Sequence, residues 1–184
     1  MLKLYTKRLD LIPLSPVQLQ MYLDEPARLE QELGIPISRT IITERVRRAI
    51  RMKLAKMAHI EQARLAWYTY WLLLIRDVSF GAGLAGFKGF PDQNGQVEIG
   101  YGIDPDYQRQ GYMTEAVQCL INWAFEEPTC LSVVARDTKK WNVASQRVLA
   151  QVGMQVYEES EDDFCLRVER TDFRAESPHP PRHR

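Results

Sequence analysis

The chain has 184 residues, of which 45% are hydrophobic and 26% charged, as is typical of a single globular domain. Lys and Arg together number 24, as do Asp and Glu, so no net charge attracts nucleic acid or a membrane surface. No stretch approaches the ~20 apolar residues of a membrane span, and the amino-terminal segment lacks the apolar run of a signal peptide. We therefore expect a cytoplasmic protein without a membrane or nucleic-acid partner.

The first part of the chain predicts one strand followed by helices. Residues 2 to 14 alternate between apolar and polar, as a strand does. Ser15 followed by Pro16 is a favourable helix start, because a capping hydroxyl precedes a proline at the first helical position. Helices are expected over residues 15–23, 26–34 and 43–62.

The third helix is predicted to be amphipathic and basic. Its cations are Arg45, Arg47, Arg48, Arg51, Lys53 and Lys56. They would form a solvated side of the helix. Alternatively, they would form a wall that attracts an acidic acceptor.

The remaining elements alternate between strands and helices. Residues 66–76 are rich in aromatic and apolar side chains and predict a buried strand, and Asn94-Gly95 predicts a hairpin turn. Further strands are expected at 80–90, 97–103, 131–135, 154–158 and 164–168, with helices at 113–126 and 142–152. This order predicts an α/β (α+β) domain over residues 1–172, with a mixed, mostly antiparallel sheet of six to seven strands flanked by helices. Residues 173–184 are expected to be disordered.

Neither the cysteines nor the histidines predict a metal site. Cys119, Cys130 and Cys165 are far apart and odd in number, and they are interpreted as buried thiols of a reducing compartment. His59 stands alone, and the other two histidines lie near the carboxyl terminus.

A glycine motif at residues 81–86 is interpreted as part of a strand. It matches the dinucleotide fingerprint G-x-G-x-x-G, which functions only where a strand turns into a helix. Gly89, Pro91 and the Asn94-Gly95 turn follow and exclude a helix there. Glycines in such a strand permit the close approach of another backbone or a ligand.

The segment from Val97 to Ala116 carries the strongest functional signal. A strand ends near Ile103, and Gly111 lies where the following loop enters a helix. A helix start has unpaired N–H groups and a partial positive charge, and therefore binds phosphate well. Glycine at that point lets the ligand approach the backbone closely.

This segment resembles the acetyl-CoA-binding loop of the GNAT acyltransferase superfamily. The family pattern Arg/Gln-x-x-Gly-x-Gly/Ala reads Gln108-Arg-Gln-Gly111-Tyr-Met113 here, with Met at the third anchor. Trp141–Ser145 and Val148–Met154 look like the family's next helix, and TKRLDLIPLS near the start is most similar to the RimJ and RimL branch. The resemblance implies an N-acetyltransferase that transfers an acetyl group from acetyl-CoA to a primary amine by direct attack in a ternary complex. It also implies a sheet splayed between its fourth and fifth strands, with residues 15–62 over the acceptor site.

The resemblance assigns roles to residues of the loop and of the next helix. Backbone N–H groups of Arg109, Gln110, Gly111, Tyr112, Met113 and Thr114, with Gln108 beside them, would hold the pyrophosphate. The backbone around Ile103 would pair with the pantetheine amides and polarise the thioester. Asn142 and Ser145 would bond the pantetheine arm or a catalytic water. Alternatively, Asn142 is a helix cap and Ser145 is exposed.

Two catalytic assignments follow. Glu98 shares one face of its strand with Gly100 and Gly102, which leave room for a ligand, and it would act as the general base. Its alternative is an ion pair on the sheet surface. The family's tyrosine acid is replaced by Leu149, so CoA would leave as a thiolate or be protonated by a water near Asn142 or Ser145.

Several functional questions stay open at the level of sequence. The acceptor is a small-molecule or peptide amine, and a homodimer is plausible. One alternative is a non-catalytic acyl-CoA-binding module. A weaker one, from the glycine motif, is a nicotinamide-dependent oxidoreductase.

Overall fold

The computed structural model describes residues 2–173. The disorder expected for residues 173–184 therefore concerns a segment that lies, except for Phe173, outside the described residues. One eight-stranded sheet has the order β1-β2-β3-β4-β5-β6-β8-β7, and every neighbouring pair is antiparallel except β5 and β6. The strands are β1 (Leu4–Tyr5), β2 (Leu9–Pro13), β3 (Trp71–Ile75), β4 (Phe80–Phe87), β5 (Gln96–Ile103), β6 (Ser132–Lys139), β7 (Gln155–Glu159) and β8 (Asp163–Glu169). The helices are α1 (Pro16–Asp24), α2 (Pro26–Leu33), α3 (Glu44–Met57), α4 (Leu65–Tyr68), α5 (Tyr112–Glu126) and α6 (Val143–Gln151).

The predicted fold class is confirmed, with one more strand than expected. The first predicted strand is divided into β1 and β2 by a turn at residues 6–8. Thr6 closes this turn, because its N–H donates to the Leu9 carbonyl at 3.0 Å and its hydroxyl accepts from the Leu9 N–H at 2.9 Å.

The strand predicted over residues 66–76 is wrong in its first part. Leu65–Tyr68 form the short helix α4, and β3 begins only at Trp71. Aromatic composition did not distinguish the two states. The Trp67 ring packs between Phe87 and Trp123 from a helical backbone, with ring centroids 5.3 and 4.4 Å away.

Helices cover both faces of the sheet and create two apolar cores. One core gathers α5 and α6 against the sheet around Trp71, Phe87 and Leu120. The other holds α1, α2 and α3 around Leu19, Leu29 and Ile50. The predicted helical wall of residues 15–62 is therefore a separate layer on one face.

The glycine motif lies within β4, as the sequence predicted. A Cβ at Gly83 would lie 2.8 Å from the Gly102 carbonyl oxygen, and one at Gly86 would lie 2.5 Å from that of Thr69. Both glycines therefore serve the close approach of neighbouring backbone. The chain continues from β4 through the Gly95 turn (φ 70°) into β5, and a dinucleotide fingerprint would need a helix there.

Candidate active site

The parallel strands β5 and β6 separate partway along their length. They pair at Gln96 with Ser132, Val97 with Val133 and Glu98 with Val134. Beyond this point β5 continues to Ile103, and among the described strands its only partner there is β4. The edge of Ile99–Ile103 that faces β6 therefore has no strand partner among the described residues. The splay predicted between the fourth and fifth strands lies between β5 and β6. These two strands carry higher numbers because the first predicted strand is divided into β1 and β2.

One face of β5 beside this opening is uncrowded. A Cβ added at Gly100 or Gly102 would meet no described atom within 4 Å. Glu98 lies on the same face by strand alternation. This arrangement agrees with the room for a ligand that the sequence predicted.

Glu98 is held in an ion-pair cluster. Lys88 Nζ contacts its Oε1, Arg136 Nη1 lies 3.5 Å from its Oε2, and the Glu98 side chain is 12% exposed. The alternative interpretation of Glu98 is thus seen in the structure. A carboxylate in this position can still accept a proton when a substrate approaches from the open face.

The loop after β5 ends at Gly111, where α5 begins. Gly111 is the N-cap of α5 with φ 81°, a conformation that favours glycine. The N–H of Glu115 bonds back to the Gly111 carbonyl at 3.0 Å. The N–H groups of Tyr112, Met113 and Thr114 precede this bond, so they have no partner within the helix. They point out of the helix end together with its partial positive charge.

Side chains of the loop and of the first turn of α5 form hydrogen bonds with neighbouring residues. Gln108 Nε2 donates to the Ile103 carbonyl at 3.4 Å, and Gln110 Nε2 donates to the Asp106 carbonyl at 3.1 Å. Thr114 Oγ1 donates to Gln151 Oε1 of α6 at 2.8 Å. Met113, the unusual third anchor, is 6% exposed and packs in the core under α5.

Arg8 is a site-supporting residue that sequence reasoning missed. Its Nη1 donates to the Gln110 carbonyl at 2.8 Å, its Nε donates to Glu115 Oε2 at 2.7 Å, and its guanidinium lies 4.4 Å from the centre of the Tyr112 ring. Burial opposes ionisation of Glu115, but hydrogen bonds from Thr6 and Arg8 outweigh it and lower the Glu115 pKa. The signal that could have found Arg8 is its place in the segment Thr6–Ser15, which resembles the RimJ and RimL branch.

Asn142 and Ser145 already have protein partners. Asn142 Oδ1 accepts from the Ser145 N–H at 3.1 Å, so Asn142 caps α6, as its alternative interpretation proposed. Ser145 is half-buried rather than exposed, and its hydroxyl lies 2.8 Å from the Tyr101 hydroxyl of β5. Burial raises the Tyr101 pKa to about 12, so the phenol stays protonated at neutral pH. Sequence reasoning did not single out Tyr101.

The lysines near α6 are engaged with acidic partners. Lys139 Nζ lies 2.8 Å from Asp163 Oδ2, and Lys140 Nζ lies 2.6 Å from Glu159 Oε1. The pairs join the end of β6 and the residue after it to β8 and β7.

Lys53 departs from the predicted solvated side of α3. It is 7% exposed, and its ammonium contacts the carbonyl oxygens of Tyr68 and Thr69 at 3.2 Å and also that of Phe87. Burial, with smaller effects of Lys56 and Lys88, lowers the Lys53 pKa to about 7. The helix is therefore anchored to the end of β4, next to the Lys88–Glu98 pair.

A cavity of about 780 Å³ lies apart from the splay. Residues of β1 and α5 line it, and Gly111 and Phe173 also belong to its lining. Within residues 2–173 no group of three or more His, Cys, Asp or Glu could hold a metal ion. In the same range no helix is long and apolar enough to cross a membrane.

The sequence also matches a known family. A model of the acetyltransferase (GNAT) domain matches residues 9–155, which include the splay, the loop and α6. The chain belongs to the GNAT acetyltransferase family. Acetyltransferases of this family use acetyl-CoA as the acetyl donor.

Two curated relatives of this GNAT chain come from Bacillus subtilis (strain 168). The uncharacterized N-acetyltransferase YjdG is 39% identical over 83 residues, which are 45% of this chain and 49% of that protein. The uncharacterized N-acetyltransferase YnaD is 35% identical over 57 residues, 31% of this chain and 33% of that protein. The matched part thus spans about half of the first relative and a third of the second.

Solved structures share the fold of this GNAT domain at low identity. The ribosomal-protein-S5-alanine acetyltransferase from Vibrio fischeri has a TM-score of 0.67 and 17% identity, covering 95% of this chain and 100% of that one. RimL, a ribosomal L7/L12 alpha-N-protein acetyltransferase in complex with coenzyme A, has a TM-score of 0.61 and 18% identity, covering 91% and 98%. These likenesses confirm the fold predicted for the RimJ and RimL branch.

Proposed function

We propose that this protein transfers an acetyl group from acetyl-CoA to a primary amine. The observation that carries the proposal is that the edge of Ile99–Ile103 lacks a strand partner and leads, through the following loop, to the Gly111 start of α5. An extended ligand with amides can add to an open strand edge, and its phosphates can bind a helix start. Acetyl-CoA has this combination and supplies an acetyl group activated as a thioester.

Each part of the path has a separate task. The N–H groups from Arg109 to Thr114 bind the pyrophosphate, and Gln108 holds the loop to the end of β5. The backbone of β5 around Ile103 orients the pantetheine arm. The uncrowded face at Gly100 and Gly102 admits the acceptor amine.

Glu98 is proposed as the proton acceptor, acting through a water. An α-amine with a pKa of about 7.7–8.0 is mostly protonated at pH 7 but keeps roughly a tenth of its population neutral, whereas a lysine near 10.4 keeps well under roughly a thousandth neutral. A base therefore matters more for lysine than for a peptide amino terminus. Lys88 and Arg136 compensate the Glu98 charge between turnovers.

The proton for the departing sulfur has two proposed sources. Leu149, at the position of the family's tyrosine, is fully buried and cannot donate a proton. A water near Asn142 and Ser145 is the first source. The Tyr101 phenol, bonded to Ser145, is the second, and its raised pKa keeps its proton available.

The acceptor is proposed to be a protein amino terminus or a small-molecule amine. Two fold neighbours are described as ribosomal-protein acetyltransferases, which favours the first. A cytoplasmic location and a homodimer belong to the same proposal.

A non-catalytic acyl-CoA-binding module is the second candidate. It is favoured by one observation, namely that Glu98, Asn142 and Ser145 each already have a protein partner. Calorimetry with CoA, followed by thiol release from acetyl-CoA with a panel of peptides and small amines, tests both. CoA binding with thiol release supports the enzyme, binding without release supports the module, and no binding contradicts both.

A further inference from the structure

A buried carboxylate lies where the acceptor wall meets the acetyl-CoA loop. Asp104 directly follows β5 and is 7% exposed. Its Oδ2 accepts from the hydroxyls of Ser38, at 2.5 Å, and Thr40, at 2.8 Å. Its Oδ1 accepts from the Asp106 N–H at 3.0 Å. One oxygen therefore holds the segment between α2 and α3, and the other holds the loop that leads to Gly111.

The wall segment is built into the sheet at the same place. β5 ends its pairing with β4 at Ile103, opposite Gly83. Just beyond, Ile37 lies beside Gly81 in a parallel bridge. The Gly81 N–H donates to the Pro36 carbonyl at 2.9 Å, and the Gly81 carbonyl accepts from the Ser38 N–H at 2.8 Å. The wall segment thus continues the line of β5 along β4, and Asp104 lies at the junction.

Both sides of the junction are otherwise well fixed. The Asp104 N–H donates to the Ala82 carbonyl at 2.8 Å, and the buried Tyr22 hydroxyl of α1 donates to the Ser38 carbonyl at 2.6 Å. An ionised carboxylate only accepts hydrogen bonds, which matches the three donors here. Burial works against ionisation of Asp104, but the hydrogen bonds from Ser38, Thr40 and Asp106 outweigh it and lower its pKa.

We propose that Asp104 is a positioning residue that couples the acetyl-CoA loop to the acceptor wall. The proposal rests on the proposed function for the identity of the ligand that orders the loop. Because one carboxylate bonds both segments, a ligand that fixes residues 105–111 also fixes Ser38 and Thr40. Such coupling is reciprocal, so an ordered wall favours binding at the loop by the same factor.

Amide hydrogen exchange of the full chain, with and without saturating CoA, tests this coupling. In the wild type CoA should slow exchange over residues 109–116 and, through Asp104, over residues 36–42 by at least about fivefold. In Asp104→Asn the first effect should persist while the second falls below about twofold. Asp106→Asn, an exposed carboxylate of the same loop, is the matched control and should respond as the wild type does.

A second variant covers the event that Asp104→Asn fails to fold. Thr40 is exposed, so Thr40→Val removes one of the two contacts between the wall and Asp104 at little cost to the core. In this variant CoA should slow exchange over residues 36–42 less than in the wild type. A purely structural contact would instead raise exchange there equally with and without CoA.

Three results would overturn the proposal. The first is CoA protection of residues 109–116 with none at 36–42 in the wild type, which leaves the proposed function standing. The second is wild-type protection of both segments in Asp104→Asn. The third is no protection anywhere, which contradicts the proposed function and this inference together.

Discussion

The Arg8 guanidinium Nε lies 2.7 Å from Glu115 Oε2, although the two residues are 107 positions apart in the sequence. The contact joins the turn after β1 to the first turn of α5. Through the same guanidinium it reaches the Gln110 carbonyl, which belongs to the proposed pyrophosphate loop. The amino-terminal strands therefore stabilise the conformation of the loop without belonging to it.

Replacing Arg8 should weaken CoA binding indirectly. Arg8→Met removes the donor to the Gln110 carbonyl, and we expect the Kd for CoA to rise about threefold to tenfold, or about 0.7 to 1.4 kcal/mol. Arg8→Lys should recover only part of this, because an ammonium cannot reproduce the fork of contacts. Calorimetry of the two variants measures the effect, and unchanged Kd values would show that the contact only stabilises the fold.

Substitution of Gly111 should abolish most CoA binding. Gly111→Asp places a negative charge at the helix start and a side chain where φ is 81° and Arg8 Nη2 lies 3.2 Å from the new Cβ. We expect at least about a tenfold loss of affinity by calorimetry. Gly34→Asp is the matched control, because it shares a positive φ of 69° with open surroundings. Equal affinity of the two variants for CoA would show that the site does not lie at Gly111.

Loss of the Glu98 carboxylate should slow turnover while CoA binding persists. Glu98→Gln keeps the shape of the side chain, and we expect a fall in kcat of roughly 10²–10⁴-fold with little change in the Kd for CoA. Lys88→Met, which disrupts the ion pair but keeps the carboxylate, should retain most activity. If the two variants lose activity equally, or Glu98→Gln turns over normally from pH 6 to 9, the role of Glu98 is structural.

Lys53 should make the free energy of unfolding depend on pH above neutrality. Its pKa is lowered to about 7 in the folded chain and is about 10.4 when unfolded. Between these values the unfolded chain binds more protons, so the stability of the wild type should rise with pH from 7 to 10 relative to Lys53→Met. Urea unfolding at several pH values measures this difference. A flat Lys53 difference would mean that the three carbonyl groups keep the ammonium charged throughout.

The exposed arginines of α3 should favour acidic acceptors. Arg45, Arg48 and Arg51 are exposed, whereas Arg47 is half-buried and pairs with Glu44 at 3.5 Å. Reversing the three exposed residues to Glu should raise KM for acidic peptides and lower it for basic ones, and added salt should reduce both changes. The same reversal at Lys3 and Lys7 reproduces four of the six units of the change in total charge and serves as the control. An unchanged order of preference would show that this face is only solvated surface.

Local signals in the sequence determined most elements and the position of the loop. Ser15 and Pro16 predicted the start of α1, where the Ser15 side chain caps the helix as expected. Asn94-Gly95 predicted the turn between β4 and β5, and Gly111 predicted the start of α5. These features depend on φ preferences and hydrogen bonds within a few residues, so neighbouring residues suffice to specify them.

Only the tertiary structure decided which distant groups meet. Periodicity placed Lys53 among the solvated cations of α3, yet its ammonium donates to the carbonyl groups of Tyr68, Thr69 and Phe87 in the interior. The contacts of Arg8 with Glu115 and of Asp104 with Ser38 depend on the register of β2 and β4 and on where β5 ends. Register is set by the packing of whole faces against α1 to α3 and α5. The sequence alone therefore located the loop, while the fold determined which side chains hold it and which couple it to the acceptor wall.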